Sequence, residues 1–172
     1  MTPEEYEHSH ARIHPRLWIA GAAAPIPAPV TTVVTLHQPA RPVPATVTET
    51  LACFADSRFQ PVPTDIVHRA LNTVLAAWPH RPVLVRCHHG LNRSALIAGL
   101  ALHQAGESAN DVIAHLRHVR PGALNNPYFA DLVATWPNDP MRAADPPDGQ
   151  PPDASTARRP NPTDVVDDGG SP

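Results

Sequence analysis

The chain of 172 residues contains no lysine; its 13 basic side chains are all arginines. Against 16 acidic residues they leave a formal net charge of -3, so no global basic field points to nucleic acid. The missing lysine, beside abundant Ala, Pro and Arg, reads as a GC-rich coding bias rather than a functional device. Only two cysteines occur, Cys53 and Cys87, which excludes a disulfide framework. No stretch is long and apolar enough to span a bilayer. The acidic, polar opening Met1–His10 is not a secretory signal. These absences predict a cytoplasmic protein with no membrane partner, no nucleic-acid partner and no cofactor.

What is present is 42% hydrophobic residues, enough for one modest core, and 23 prolines, far above the usual share. Met1 to about residue 12 reads as a flexible terminus. Ile13–Gly21 and Val30–Leu36 read as strands, with a proline-studded loop between them and another over His37–Thr46. Val47–Phe54 is a further strand candidate. Thr64 is the expected N-cap of a helix whose apolar face carries Ile66, Val67, Ala70, Leu71, Val74, Leu75 and Trp78, and Pro79 stops it. Ser108 and Asn126-Pro127 open two more helices. From Pro137 onward Pro, Asp, Ala, Gly and Arg dominate, a composition expected to form a disordered tail. Strands followed by helices, around a strand-loop-helix segment, predict an α/β domain with a mostly parallel central sheet flanked by helices.

The chemistry concentrates in Arg86-Cys87-His88-His89-Gly90-Leu91-Asn92-Arg93-Ser94. The apolar run Val83–Val85 leads into Cys87, and Ser94 opens an apolar helix. A loop feeding a helix N-terminus turns several N–H groups toward one point, where the dipole adds positive potential. Gly90 permits the tight turn. Arg93 adds a planar, two-toothed grip on an oxyanion. A thiol on the floor of such a cradle is suited to attack on phosphorus.

Cys87-x-x-Gly90-x-x-Arg93-Ser94 resembles the Cys-x5-Arg-Ser/Thr loop of the cysteine-dependent protein tyrosine phosphatases, more closely their small dual-specificity branch. The resemblance covers about residues 13–136, with Asn126-x-x-Phe129 as a weaker second match. It implies a dual-specificity phosphatase-like fold, with Cys87 as nucleophile forming a phosphocysteine, Arg93 binding the phosphoryl group, and Ser94 assisting the departing thiolate. His88, His89, Gly90, Leu91 and Asn92 would line the phosphate. The family's usual His before the cysteine is replaced by Arg86. The family's general acid is an aspartate roughly thirty residues earlier, for which Asp56 and Asp65 are the candidates. Asp56, between a strand and a proline-containing loop, is preferred; Asp65 at a helix start has a structural role available against the dipole.

With no long insert near the site, the expected substrates are proteins phosphorylated on tyrosine or on serine and threonine, hydrolysed by a metal-independent monomer. A phosphoinositide or RNA 5′-phosphatase uses the same loop, and a pseudophosphatase that only binds phosphorylated partners is the rival from another class. No metal is expected at His88 and His89, because no third ligand stands at a suggestive spacing. Arg117 and Arg120 read as a solvated helix face or an auxiliary anion patch. Cys53, before the Asp56 loop, is a candidate partner for a peroxide-driven disulfide with Cys87.

Overall fold

The computed structural model describes residues 1–137; the tail expected from Pro137 onward lies, but for that proline, outside the described residues. Five strands form one sheet: β1 (His10–His14), β2 (Leu17–Ala20), β3 (Thr32–Thr35), β4 (Thr48–Leu51) and β5 (Val83–Arg86), in the order β1-β2-β5-β3-β4. β1 pairs with β2 antiparallel and every other pairing is parallel, as expected for a mostly parallel sheet. Ahead of it lies a short α1 (Pro3–Glu7), followed in chain order by α2 (Thr64–Ala77), α3 (Arg93–Gln104), α4 (Ala109–Val119) and α5 (Pro127–Thr135).

The alternation of strand side chains divides the interior in two. Ile19, Val34, Val83, Val85 and Cys87 face the apolar sides of α2–α5, around α3, which is buried from Arg93 to Leu102. Trp18, Ala20, Val33 and Leu84 face the other way, covered by Ala24, Val30, Ile26, Val43 and Val47 from the proline-rich loops. Each fully buried Leu or Val removes enough apolar area from water to contribute about 1.5–3 kcal/mol before chain entropy is counted. Gly99 on α3 shows how close the packing is: a Cβ there would stand 3.2 Å from Leu116 Cδ1 and 3.3 Å from Val133 Cγ2.

Several local expectations change. The segment expected to be a flexible terminus carries regular structure: Thr2 and Glu5 form a reciprocal capping box for α1, and β1 begins at His10. What anchors them is tertiary, since Tyr6 donates to the Pro121 carbonyl and its own carbonyl accepts from Arg120. Ile13–Gly21 is not one strand; Pro15-Arg16 turns the chain between β1 and β2. Thr64 is the first helical residue of α2 and not its cap, Pro63 holding that position without a side-chain bond. Ser108 and Asn126 do cap α4 and α5, accepting from Asp111 N–H and Tyr128 N–H.

His14 ties the β1–β2 turn to α2. Its Nδ1 accepts from Trp78 Nε1 at 2.9 Å, with the rings edge to face. Burial above all pushes this imidazole below its ordinary 6.5; Glu107 opposes the shift and Arg16 and Arg12 add to it. The folded chain therefore holds this proton less tightly than the unfolded chain. The contact's stability is present above about pH 6.5 and is lost as pH falls through the lower folded value. The melting temperature should drop on acidification from about pH 7 to about pH 5, and less steeply in His14→Gln, whose amide accepts without titrating. Identical slopes would show that His14 carries none of the effect.

Candidate active site

The register that builds the sheet also builds the site. Ala20 of β2 and Thr35 of β3 both stand opposite Arg86 of β5. The chain just beyond each of these strand ends, Gly21-Ala22, Leu36-His37 and Cys87, therefore meets at the carboxyl edge of the parallel sheet, where such sheets offer ligand sites. Cys87 lies there, 3% exposed, with its N–H donated to the Ala20 carbonyl at 3.1 Å. Its Sγ is 3.4 Å from Ser94 Oγ in the first turn of α3.

The loop between them is held by its carbonyls. The His88 carbonyl accepts from Ala22 N–H at 2.9 Å, that of His89 from Arg120 Nη2 at 2.8 Å, and that of Leu91 from Leu124 N–H at 3.0 Å. With the carbonyls drawn outward, the N–H groups of His88, His89, Gly90 and Leu91 take no acceptor among the described residues. Gly90 sits at φ +67°, and a Cβ on it would fall 2.5 Å from the backbone of Ala20. Only glycine fits that approach. Leu124 reaches Leu91 from a left-handed conformation at φ +52°, and Arg117 clasps the Leu124 and Ala123 carbonyls. Arg120 is thus neither a solvated residue nor part of an anion patch, being only 3% exposed and spent on backbone carbonyls, whereas Arg117 stays exposed, as a solvated helix face requires, while its guanidinium braces backbone. Burial pushes Arg120 below its ordinary value, with the Cys87 and Tyr6 side chains acting in the opposite direction.

Arg93, 8% exposed, donates Nη1 to the Phe54 carbonyl at 2.9 Å and to the Leu36 carbonyl at 3.2 Å. Its Nε is buried with no partner. The guanidinium is therefore anchored by one nitrogen and keeps hydrogen-bonding capacity in reserve. Arg86 points to the opposite face. It donates to Thr35 Oγ1 at 2.9 Å, to Glu49 Oε1 at 2.7 Å and to the Arg41 carbonyl, fastening the 37–47 loop to the sheet. Its charge is thus matched by Glu49.

The two candidate aspartates part company here. Asp65 lies in the first turn of α2. Asp56 is drawn to the loop: Oδ2 accepts from Asn92 Nδ2 at 2.9 Å and Oδ1 from Asn126 Nδ2 at 3.0 Å. Asn126 is itself buried, donates its N–H to Asn92 Oδ1 at 3.1 Å and caps α5. One asparagine thereby links the Asp56 loop, the Cys87 loop and α5, and sequence spacing marks it only as a helix cap.

Three histidines flank the cradle. His88 and His89 have ring centroids 3.9 Å apart, and His37, which directly follows the β3 end, stacks on His88 at 4.7 Å. Burial, with Arg93 and His88 adding, lowers His37, and burial with His88 lowers His89, so both rings tend to be neutral at neutral pH. Glu7 of α1 reaches this group, its Oε2 3.6 Å from His88 Nε2. Neither Glu7 nor His37 carries a motif; their strand-end and helix-end positions become a site only when the chain folds. Cys53 does not approach as the disulfide expectation requires. Ala52 and Phe54 join the core around Cys87, so alternation turns Cys53 to the other side, exposed, with its sulfur 3.8 Å from the Thr35 carbonyl.

No family profile matches the chain. Human protein tyrosine phosphatase type IVA 3 is 33% identical to it over 89 residues, which make up 50% of this chain and 51% of that protein. The chain thus spans about half the length of the curated relative it matches. Among solved structures, human DUSP28 aligns at a TM-score of 0.59 with 22% identity, over 72% of this chain and 89% of that one. The human tyrosine phosphatase-like serine/threonine/tyrosine-interacting protein aligns at 0.63 with 15% identity, over 73% and 93%.

Proposed function

On the premise that the chain resembles the cysteine-dependent protein tyrosine phosphatases in sequence and shares the fold of their small dual-specificity members, we propose that it hydrolyses phosphomonoesters of proteins through a phosphocysteine. The observation that carries the reading is the cradle: N–H groups without acceptors, beside a buried guanidinium nitrogen without a partner, around Cys87. A phosphoryl group supplies the acceptors that these donors lack. In the first step the Cys87 thiolate attacks phosphorus, the P–O bond breaks, and Asp56 gives its proton to the leaving oxygen. In the second, Asp56 takes a proton from water, the water oxygen bonds to phosphorus, and the P–S bond breaks. Ser94 Oγ, 3.4 Å from the sulfur, donates to the thiolate as it departs. Arg93 and the loop amides hold the equatorial oxygens through both transition states.

Neutral His37 and His89 add no positive charge to the mouth, which favours a protein monoester over a polyphosphorylated lipid or RNA end. Phe59, 95% exposed on the loop that carries Asp56, offers an apolar contact to residues beside the phosphate. Phe59→Ser should raise KM for a phosphopeptide severalfold and leave KM for a small aryl phosphate unchanged; equal effects on both would remove Phe59 from recognition.

The decisive assay is hydrolysis of para-nitrophenyl phosphate with and without vanadate, which should abolish it. Absence of vanadate-sensitive turnover would leave a phosphate-binding module instead. Asp56→Asn should lower turnover of phosphotyrosine by about a hundredfold or more, and much less with an activated aryl ester whose leaving group departs unaided. Asp65→Asn should cost on the order of 1 kcal/mol of stability or less and spare turnover. An Asp56→Asn enzyme with equal losses on both esters would take the proton transfer away from Asp56.

A further inference from the structure

We propose that Glu7, His88 and His89 form a binding site for a borderline first-row divalent cation, Zn²⁺, on the outer rim of the cradle. The three side chains come from α1 and from the Cys87 loop, and one ligand atom of each lies within 4.8 Å of the other two. A tetrahedral zinc with bonds of roughly 2.1 Å separates its donors by about 3.4 Å. Glu7 Oε2 and His88 Nε2 are already 3.6 Å apart, so only small side-chain rotations complete the set. Two imidazoles and one carboxylate suit zinc far better than calcium or magnesium, which take oxygen donors. All three residues are half-buried, which leaves a path for the ion and a fourth position for water.

The arrangement is braced from behind. Arg120 Nη2 holds the Tyr6 carbonyl and the His89 carbonyl at once, fixing the end of α1 against the loop. Ala23 N–H donates to the Glu7 carbonyl at 3.2 Å, and Ala22 N–H to that of His88 at 2.9 Å. Gly21 lies so close under Glu7 that a Cβ would overlap its backbone. Backbones pinned this way need little reorganisation to present their side chains to one ion. His37 lies beyond this set, with its Nδ1 3.5 Å from Arg93 Nη1.

The inference is independent of the proposed hydrolysis, because its test reads the metal. The reduced full chain is titrated with zinc chloride by calorimetry and with cobalt chloride by absorption. The expected result is saturable binding of one equivalent, with cobalt d–d bands of a tetrahedral nitrogen and oxygen site. Glu7→Gln and His89→Gln should each weaken binding by about tenfold or more while the circular dichroism spectrum stays that of the parent. Should one of them fail to fold, His88→Gln takes its place. No saturable binding, parental affinity in either variant, or a sulfur-to-cobalt charge-transfer band placing the ion on Cys87 or Cys53, would each overturn the site.

Discussion

Cys87→Ser should abolish turnover, by on the order of 10⁵-fold or more, while the protein still binds tungstate. The substitution keeps nearly the same volume at a position 3% exposed, so the loop has no cavity to collapse into. Every donor of the cradle is backbone or Arg93 and remains in place. What disappears is the nucleophile, since a serine hydroxyl ionises far less readily than a thiol. Turnover by para-nitrophenyl phosphate hydrolysis and tungstate affinity by calorimetry check the two halves separately. Metal-free turnover near the parental rate would eliminate the phosphocysteine.

Arg93→Lys should fail in the opposite pattern, losing oxyanion affinity as well as turnover. The guanidinium spends Nη1 on the Phe54 and Leu36 carbonyls and still has Nε to offer. A lysine ammonium keeps the charge but is a single point, which cannot hold both carbonyls and an equatorial oxygen pair. The expected loss in kcat/KM is on the order of 10³-fold, the usual cost of losing preorganised transition-state donors. Tungstate affinity should drop by about tenfold or more. Leaving the Phe54 or the Leu36 carbonyl without its donor should also lower the melting temperature, so both proteins are compared at a temperature where each is folded. A lysine variant within about tenfold of the parent in kcat/KM would mean that charge alone suffices and that the fork is idle.

The difference expected between the two variants rests on one structural fact, that Cys87 and Arg93 stand at opposite ends of the same loop. Cys87 directly follows the end of β5 and Arg93 is the first residue of α3. That much was legible in the residues themselves. The order apolar strand, glycine-containing turn and apolar helix is local, and local spacing determines where a strand ends and a helix begins. The caps at Ser108 and Asn126 and the apolar stripe of α2 were readable for the same reason.

What the sequence could not carry is every contact whose partners lie far apart along the chain. Glu7 and His88 are separated by 81 residues, and Asp56 and Asn126 by 70. No periodicity links such pairs. Met1–His10 looked like a loose terminus because its anchor, Arg120, lies more than a hundred residues away. Arg120 looked like a surface charge because burial of an arginine depends on carbonyls that only packing brings within reach. Cys53 looked like a neighbour of Cys87 because the chain order does not say that β3 stands between β4 and β5, nor which sheet face a side chain takes. By itself, then, the sequence determined the loop that holds Cys87, Arg93 and Ser94 and the order of strands first and helices after around it. The tertiary structure decided which acid, which histidines and which arginines stand beside that loop, because their positions are set by packing across the sheet edge and not by spacing along the chain.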